Sequence, residues 1–183
     1  MTMSNSKSVA DELKKDEPTV RPDGTLLRKL IDGVNVQELR VQQDERGTTT
    51  EVYSERWDFF TEPIRHIVRV GIQPGKVKGW SKHINSTDRG VVLQGTVKVV
   101  LYDDREGSST HGMINELCFG PAHPSVFTIP NGVFHAVQNV GTDFAMMLVM
   151  PTRPFEHEDP DKYRLSPDTT DYIPYQFNSK MGW

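Results

Sequence analysis

A single cysteine, Cys118, stands among 183 residues. It can close no internal disulfide and build no multi-thiolate zinc site, which fits a reducing compartment. A cationic surplus is missing too: 21 Lys and Arg against 25 Asp and Glu leave a net charge of -4. No basic field exists to hold a phosphate backbone by counterion release, so nucleic acid is not an expected partner. The longest apolar run, Phe144 to Met150, has seven residues, against the roughly 20 that a membrane-spanning helix needs. The opening segment has no apolar stretch of the signal-peptide kind, and Thr2 rather than glycine follows Met1. A cytoplasmic location with no membrane partner is expected. No Walker loop, G-x-S-x-G elbow or G-x-G-x-x-G fingerprint occurs, which leaves nucleotide hydrolysis, α/β-hydrolase chemistry and Rossmann redox chemistry without support.

Hydrophobic residues make up 36% of the chain and mean hydropathy is -0.54, polar for a globular protein yet sufficient for one core. Residues 1–25 are rich in Ser, Lys, Asp and Glu and read as a flexible tail with a short helix around Val9 to Lys15. It closes on the turn signal Arg21-Pro22-Asp23-Gly24. Residues 26–183 read as a single domain. From Val34 onward short β-branched and apolar runs alternate with Gly, Pro, Asn and Asp about every eight to twelve residues, the rhythm of an all-β fold. The expected strands are Val34 to Val41, Thr48 to Tyr53, Ile64 to Ile72, Val91 to Tyr102, Met113 to Phe119, Ser125 to Ile129, Val133 to Val140 and Phe144 to Met150. Within the fourth run, Gln94-Gly95-Thr96 predicts a hairpin, because glycine supplies the positive φ of a tight connection. No helix-period segment lies between the runs to serve as a crossover, so a sandwich or jelly roll is expected rather than a βαβ fold. The polar, proline-rich extension 151–183 is expected to wrap this barrel, with Phe155, Tyr163, Tyr172, Tyr175 and Phe177 as anchors.

Two spaced motifs carry the chemistry. Gly75, five residues, Ser81-Lys82-His83, four residues, Asp88, six residues and Gly95 form the first. Pro130, Gly132, His135 and Asn139 form the second. Together they resemble the paired signatures of the cupin family, and the resemblance implies a jelly-roll barrel. Residues i and i+2 of a strand share a face, so Ser81 and His83 are expected to look into the barrel, with His135 entering from a facing strand. Metal-binding cupins use three histidines and an acidic residue. Here Ser81 occupies the first histidine position and Asp88 the acidic one, which leaves His83, Asp88 and His135, the composition of a 2-His-1-carboxylate site for Fe, Zn, Mn or Ni. The alternative is a pair of hydrogen-bonded interior histidines with Asp88 in a turn.

Within the cupins, four ordered segments resemble the dTDP-4-dehydrorhamnose 3,5-epimerase family. They are Gln43-Asp44-Glu45-Arg46-Gly47 with Glu51, Pro74 to Trp80, Tyr102 to Gly112, and Ile129 to His135. The resemblance implies a homodimer in carbohydrate biosynthesis, acting on a nucleotide-linked 4-keto-6-deoxy sugar without a required cofactor. Such an enzyme moves protons at carbons made acidic by the ketone, through an enolate, and needs a base and an acid. The family's catalytic histidine position holds Ser81 and its tyrosine position holds Val149. His83 is therefore expected as a displaced base and His135 as the group that polarises the ketone or orients the base.

For substrate binding the resemblance points to Arg46 and Lys78 as cations near the diphosphate or sugar, to Arg89 facing the pocket, to Trp80 or Trp57 as stacking platforms and to Glu51 as a nucleotide contact. Solvated surface cations and buried structural aromatics are the alternatives. Two other functions stay open: a metal cupin acting as oxygenase, lyase or isomerase, and a non-catalytic binding or assembly module. His66, His111, His123 and His157 read as surface histidines, Cys118 as an inert small hydrophobe and Met146, Met147 and Met150 as core filling.

Overall fold

The computed structural model describes residue 13 and residues 15–177. The helix expected around Val9 to Lys15 lies outside the described residues apart from Leu13 and Lys15, which are not helical. The turn at Arg21 to Gly24 is formed, with the Gly24 N–H donating to the Arg21 carbonyl at 2.9 Å.

The strands are β1 (Asn35–Glu38), β2 (Val41–Asp44), β3 (Gly47–Thr50), β4 (Val68–Ile72), β5 (Val77–Lys82), β6 (Asp88–Gln94), β7 (Val97–Asp103), β8 (Ile114–Phe119), β9 (Ser125–Ile129), β10 (Val133–Asn139), β11 (Ala145–Val149) and β12 (Tyr163–Arg164). They form an all-β sandwich of two five-stranded sheets, ordered β1-β9-β6-β11-β4 and β12-β5-β10-β7-β8, with β2-β3 as a separate ribbon. Every pairing is antiparallel. No helix among the described residues is long and apolar enough to cross a membrane.

The inner faces of the sheets meet in a core that includes Ile72, Val92, Val99, Leu101, Phe127, Val133 and Met147. Each outer face is covered by a different stretch of coil. Trp57, Phe59, Phe60 and Ile64 pack on Val91 and Val126 outside the first sheet. Ile173, Tyr175 and Phe177 pack on Val77, Trp80 and Phe134 outside the second. The C-terminal extension thus wraps the barrel, anchored by Tyr175 and Phe177, whereas Phe155, Tyr163 and Tyr172 are exposed.

One local expectation needs correction. The turn at Gly95 has the positive φ of 74° that the sequence implies, yet β6 and β7 form no hairpin, since they belong to opposite sheets. The turn carries the chain across the sandwich, and each strand finds its neighbours elsewhere, β6 on β9 and β11 and β7 on β10 and β8. The run Val77 to Lys82, which lacks strand alternation, is a strand interrupted by a bulge. Its register against β10 shifts between Val137 and His135. Gly79 sits in that bulge at φ 142°, where a Cβ would lie 2.4 Å from the Ala136 Cβ, so no larger residue fits. The extra residue places Val77 and Trp80 together on the outer face and turns Lys78 and Ser81 to the interior cavity.

Candidate active site

A cavity of about 410 Å³ opens between the two sheets. The second sheet contributes Ser81 from β5 and His135 from β10, and His83 follows directly after β5. Ser81 and His135 are direct cross-strand partners, so His135 comes from the adjacent strand and not from a facing one as the sequence suggested. The facing sheet supplies Asp88, the first residue of β6, so this carboxylate belongs to a strand and not to a turn.

These side chains form one cluster. Asp88 Oδ2 lies 3.5 Å from Nε2 of His83 and 3.5 Å from Nε2 of His135. The two imidazoles stack at 5.3 Å between centroids. His83 Nδ1 is held by the backbone carbonyl of Asp161, and His135 Nδ1 faces the Val133 carbonyl at 3.4 Å. The Asp161 carboxylate in turn accepts the N–H groups of Ile84 and Asn85 at 2.9 and 2.8 Å. A residue of the wrapping extension therefore fixes both the ring and the loop that follows it.

The electrostatics separate the two histidines. Burial disfavours charge on His83, but the Asp88 hydrogen bond and charge and the Asp161 carbonyl outweigh it and raise the pKa above the ordinary imidazole value. Burial pushes His135 down to about 4, since the attraction of Asp88 offsets that penalty only in part and His83 adds to it. Burial by itself would raise Asp88, yet the His83 hydrogen bond and the positive fields of His135, His83 and Lys162 hold it below the usual carboxylate range. The cluster thus combines a carboxylate favoured in its ionised form, a His135 favoured in its neutral form and a His83 that holds a proton more firmly than a free imidazole.

One ligand atom from each of His83, Asp88 and His135 lies within 4.8 Å of the others. The donor set has the chemistry of a 2-His-1-carboxylate centre, and each imidazole has its Nδ1 turned to a carbonyl, the orientation that frees Nε2 for a ligand.

No family model matches the chain. It is 32% identical over 139 residues to the probable low-salt glycan biosynthesis epimerase Agl13 of Haloferax volcanii, covering 75% of this chain and 89% of that protein. It is 27% identical over 155 residues to the spore coat polysaccharide biosynthesis protein SpsL of Bacillus subtilis, covering 83% and 99%. Among solved structures, a dTDP sugar isomerase from Desulfovibrio desulfuricans superposes with a TM-score of 0.74 at 26% identity, covering 80% of this chain and 92% of that one. The chain belongs to the dTDP-sugar 3,5-epimerase-like family of cupins.

Six of the residues expected from the sequence line the cavity: Lys78, Ser81, His83, Asp88, Arg89 and His135. Others lie elsewhere. Trp80 is fully buried on the outer face, its ring 6.0 Å from Tyr175 and 5.4 Å from Phe177. This corrects the stacking role expected for it, because the bulge at Gly79 turns it away from the cavity. Trp57 packs in the outer cluster against the first sheet.

Arg89 borders the cavity, but its guanidinium is committed to the carbonyls of Met150, Glu62, Pro63 and Pro151 at 2.5 to 3.3 Å and lies over the Phe60 ring. As placed it clamps the coil onto the outside of the sheet. Arg46 is exposed on the β2-β3 ribbon and paired with Asp44 at 2.5 Å. Glu51 is exposed just after that ribbon. Neither is among the residues lining the cavity of its own chain.

The Tyr102 to Gly112 segment is architectural. Buried Asp103 accepts from Arg105 Nε at 2.8 Å and from the Ser108 and Thr110 hydroxyls, each at 2.6 Å. The polar cavity residues that sequence reasoning missed include His66, Arg153, Asp161 and Lys162. For His66 a signal existed, since positions 66, 68 and 70 share strand parity. The other three come from the extension, where no periodicity marks a facing side.

Proposed function

We propose that this protein is a sugar-nucleotide epimerase or isomerase that moves a proton at a carbon next to the ketone of a dTDP-linked 4-keto-6-deoxy sugar, in glycan or polysaccharide biosynthesis. The observation that carries this reading is the His83–Asp88–His135 cluster, with its two imidazoles driven to different protonation behaviour on the wall of one cavity.

His83 is the base. Its Nδ1–H is donated to the Asp161 carbonyl, which leaves the Nε2 lone pair to take the proton, and Asp88 stabilises the imidazolium that forms. His135, neutral at pH 7, offers an Nε2–H to the ketone oxygen in the tautomer that gives up its long Val133 contact, and so stabilises the enolate. Ser81, opposite His135 in the register, is placed to hydrogen-bond the sugar. Lys78, Arg153 and Lys162 line the cavity, and their side chains make no hydrogen bond or ion pair among the described residues. Such unpaired cations suit the diphosphate of the substrate. No cofactor is needed for these steps. The names of Agl13 and SpsL, an epimerase of glycan biosynthesis and a polysaccharide biosynthesis protein, support the pathway class.

The convergence of three donor atoms within 4.8 Å favours a second reading, in which His83, Asp88 and His135 hold a divalent metal. Bound there, such an ion would supply Lewis acidity for the ketone. Incubation with dTDP-4-keto-6-deoxyglucose in D2O, with and without EDTA, separates the two. Deuterium entry at C3 or C5 that survives EDTA supports the acid-base reading. Exchange lost to EDTA and restored by Zn, Fe, Mn or Ni supports the metal. Tight dTDP-sugar binding without any exchange overturns both and leaves a binding module. A homodimer belongs to the same proposal, because β1 and β4 end the first sheet with one neighbour each. Light scattering should give twice the 20.8 kDa chain mass.

A further inference from the structure

We propose that His66 is a second proton-transfer group, acting on the face of the sugar opposite to His83, so that the reaction inverts a carbon centre. The inference rests on the proposed acid-base function and adds its stereochemical course. Inversion next to a ketone needs a proton removed from one face of the ring and another delivered to the other. The two groups must therefore stand on different walls.

The walls of this cavity differ in kind. Ser81, His83 and His135 stand on the second sheet or directly after β5, and Asp88 is drawn to the two histidines from across the gap. Apart from Asp88 and Arg89 of β6, the latter committed to backbone carbonyls, the first sheet presents Val68, Val70, Phe127, Ile129, Met147 and Val149, none of which has a transferable side-chain proton.

His66 breaks that apolar wall. It lies two residues before β4, and positions 66, 68 and 70 all line the cavity, so its side chain continues the inward face of that strand. It is half-buried and makes no hydrogen bond or ion pair among the described residues. Beside Val68 runs Val149, its cross-strand partner, whose side chain leaves the imidazole the only proton carrier of β4, β9 and β11 or of the two residues leading into β4 to reach the cavity. Glu156, Asp159 and Lys162 also border it, but from exposed positions on the extension.

The step balances. His83 Nε2 takes the proton as the C–H pair flows into the enolate. The enolate pair then forms a new C–H bond with the proton of the His66 imidazolium on the opposite face, and the ketone is restored. Both histidines return to their starting states by exchange with water.

The test compares wild type with His66→Gln and His66→Phe in D2O, following deuterium entry and product configuration by NMR and dTDP affinity by calorimetry. The expected result is that both variants bind dTDP as wild type does and still wash deuterium into the substrate with retention. Inverted product falls by on the order of 10²-fold or more. Inverted product at the wild-type rate in either variant overturns the proposal. So does a wild type that exchanges deuterium without inversion, or a variant that loses exchange, inversion and dTDP affinity together. A wild type that binds the sugar and shows no exchange defeats the underlying acid-base reading instead.

Discussion

The imidazoles of His83 and His135 stack with their planes 25° apart, and one oxygen of Asp88 stands 3.5 Å from each Nε2. A shared carboxylate cannot serve both rings equally. It favours a proton on His83, whose Nδ1 is also held by the Asp161 carbonyl, while the more deeply buried His135 stays neutral at a pKa of about 4. In the proposed mechanism this inequality turns two like side chains into a base and a neutral hydrogen-bond donor.

A pH profile follows. His83 must be neutral to accept the proton, and its pKa is raised against the opposing effect of burial by the hydrogen bond and charge of Asp88. The rate of deuterium entry should therefore fall on the acid side, with a midpoint above the ordinary imidazole value of ~6.5. Asp88→Asn removes the charge that raises it. The midpoint should move to lower pH and the maximal rate drop by roughly 10²-fold. An unmoved midpoint would mean that another group is the base.

The histidine pair and its carboxylate were legible because each lies at fixed spacing from glycines with the positive φ of a turn, Gly75 and Gly95 around His83 and Asp88, and Gly132 before His135. Which sheet each came from was not legible. A glycine reports the φ a turn needs and says nothing about the strand that will pair beyond it, hence the mistaken hairpin at Gly95. Trp80 was misplaced for a related reason: one bulged residue reverses the inward and outward sense of everything after it. Asp161 contacts His83 through its backbone carbonyl, a group every residue has, so its identity carried only half of its role.

Trp80 gives a direct check on that reassignment. Its Nε1–H has no partner among the described residues and its ring packs on Tyr175 and Phe177 outside the sheet. Trp80→Phe is expected to leave dTDP-sugar affinity within about twofold, because the ring does not line the cavity, and to cost about 1 kcal/mol from lost packing, partly offset by removal of the buried donor. A tenfold or larger loss of affinity with unchanged stability would restore the stacking role.

Gly79 should tolerate nothing larger. At φ 142°, with the Ala136 Cβ only 2.4 Å from where its own Cβ would stand, Gly79→Ala has to push β5 away from β10. A loss of about 3 kcal/mol in urea unfolding is expected. The same displacement moves Ser81 and Lys78, so activity should fall more steeply than the folded fraction. Wild-type stability in this variant would show that the bulge relaxes freely.

Asp103 sets the acid limit of the fold. Its carboxylate is buried, and although burial opposes ionisation, hydrogen bonds from Arg105, Ser108 and Thr110 drive its pKa far below the ordinary carboxyl value. A group depressed in the folded state binds its proton more readily when unfolded, so it stabilises the fold above the unfolded pKa of ~3.9 and loses that contribution as pH falls through the folded value. Unfolding followed from pH 7 to pH 2 should show stability declining from near pH 5 downward. Asp103→Asn should be less stable at pH 7 and should flatten this decline, since the amide has no proton to gain and cannot accept from all three donors. Asp103→Ala, which leaves Arg105 and both hydroxyls without their acceptor, should cost about 3 kcal/mol at neutral pH. An equally steep acid decline in Asp103→Asn would move the acid sensitivity to another carboxylate, with Asp88 the first to test.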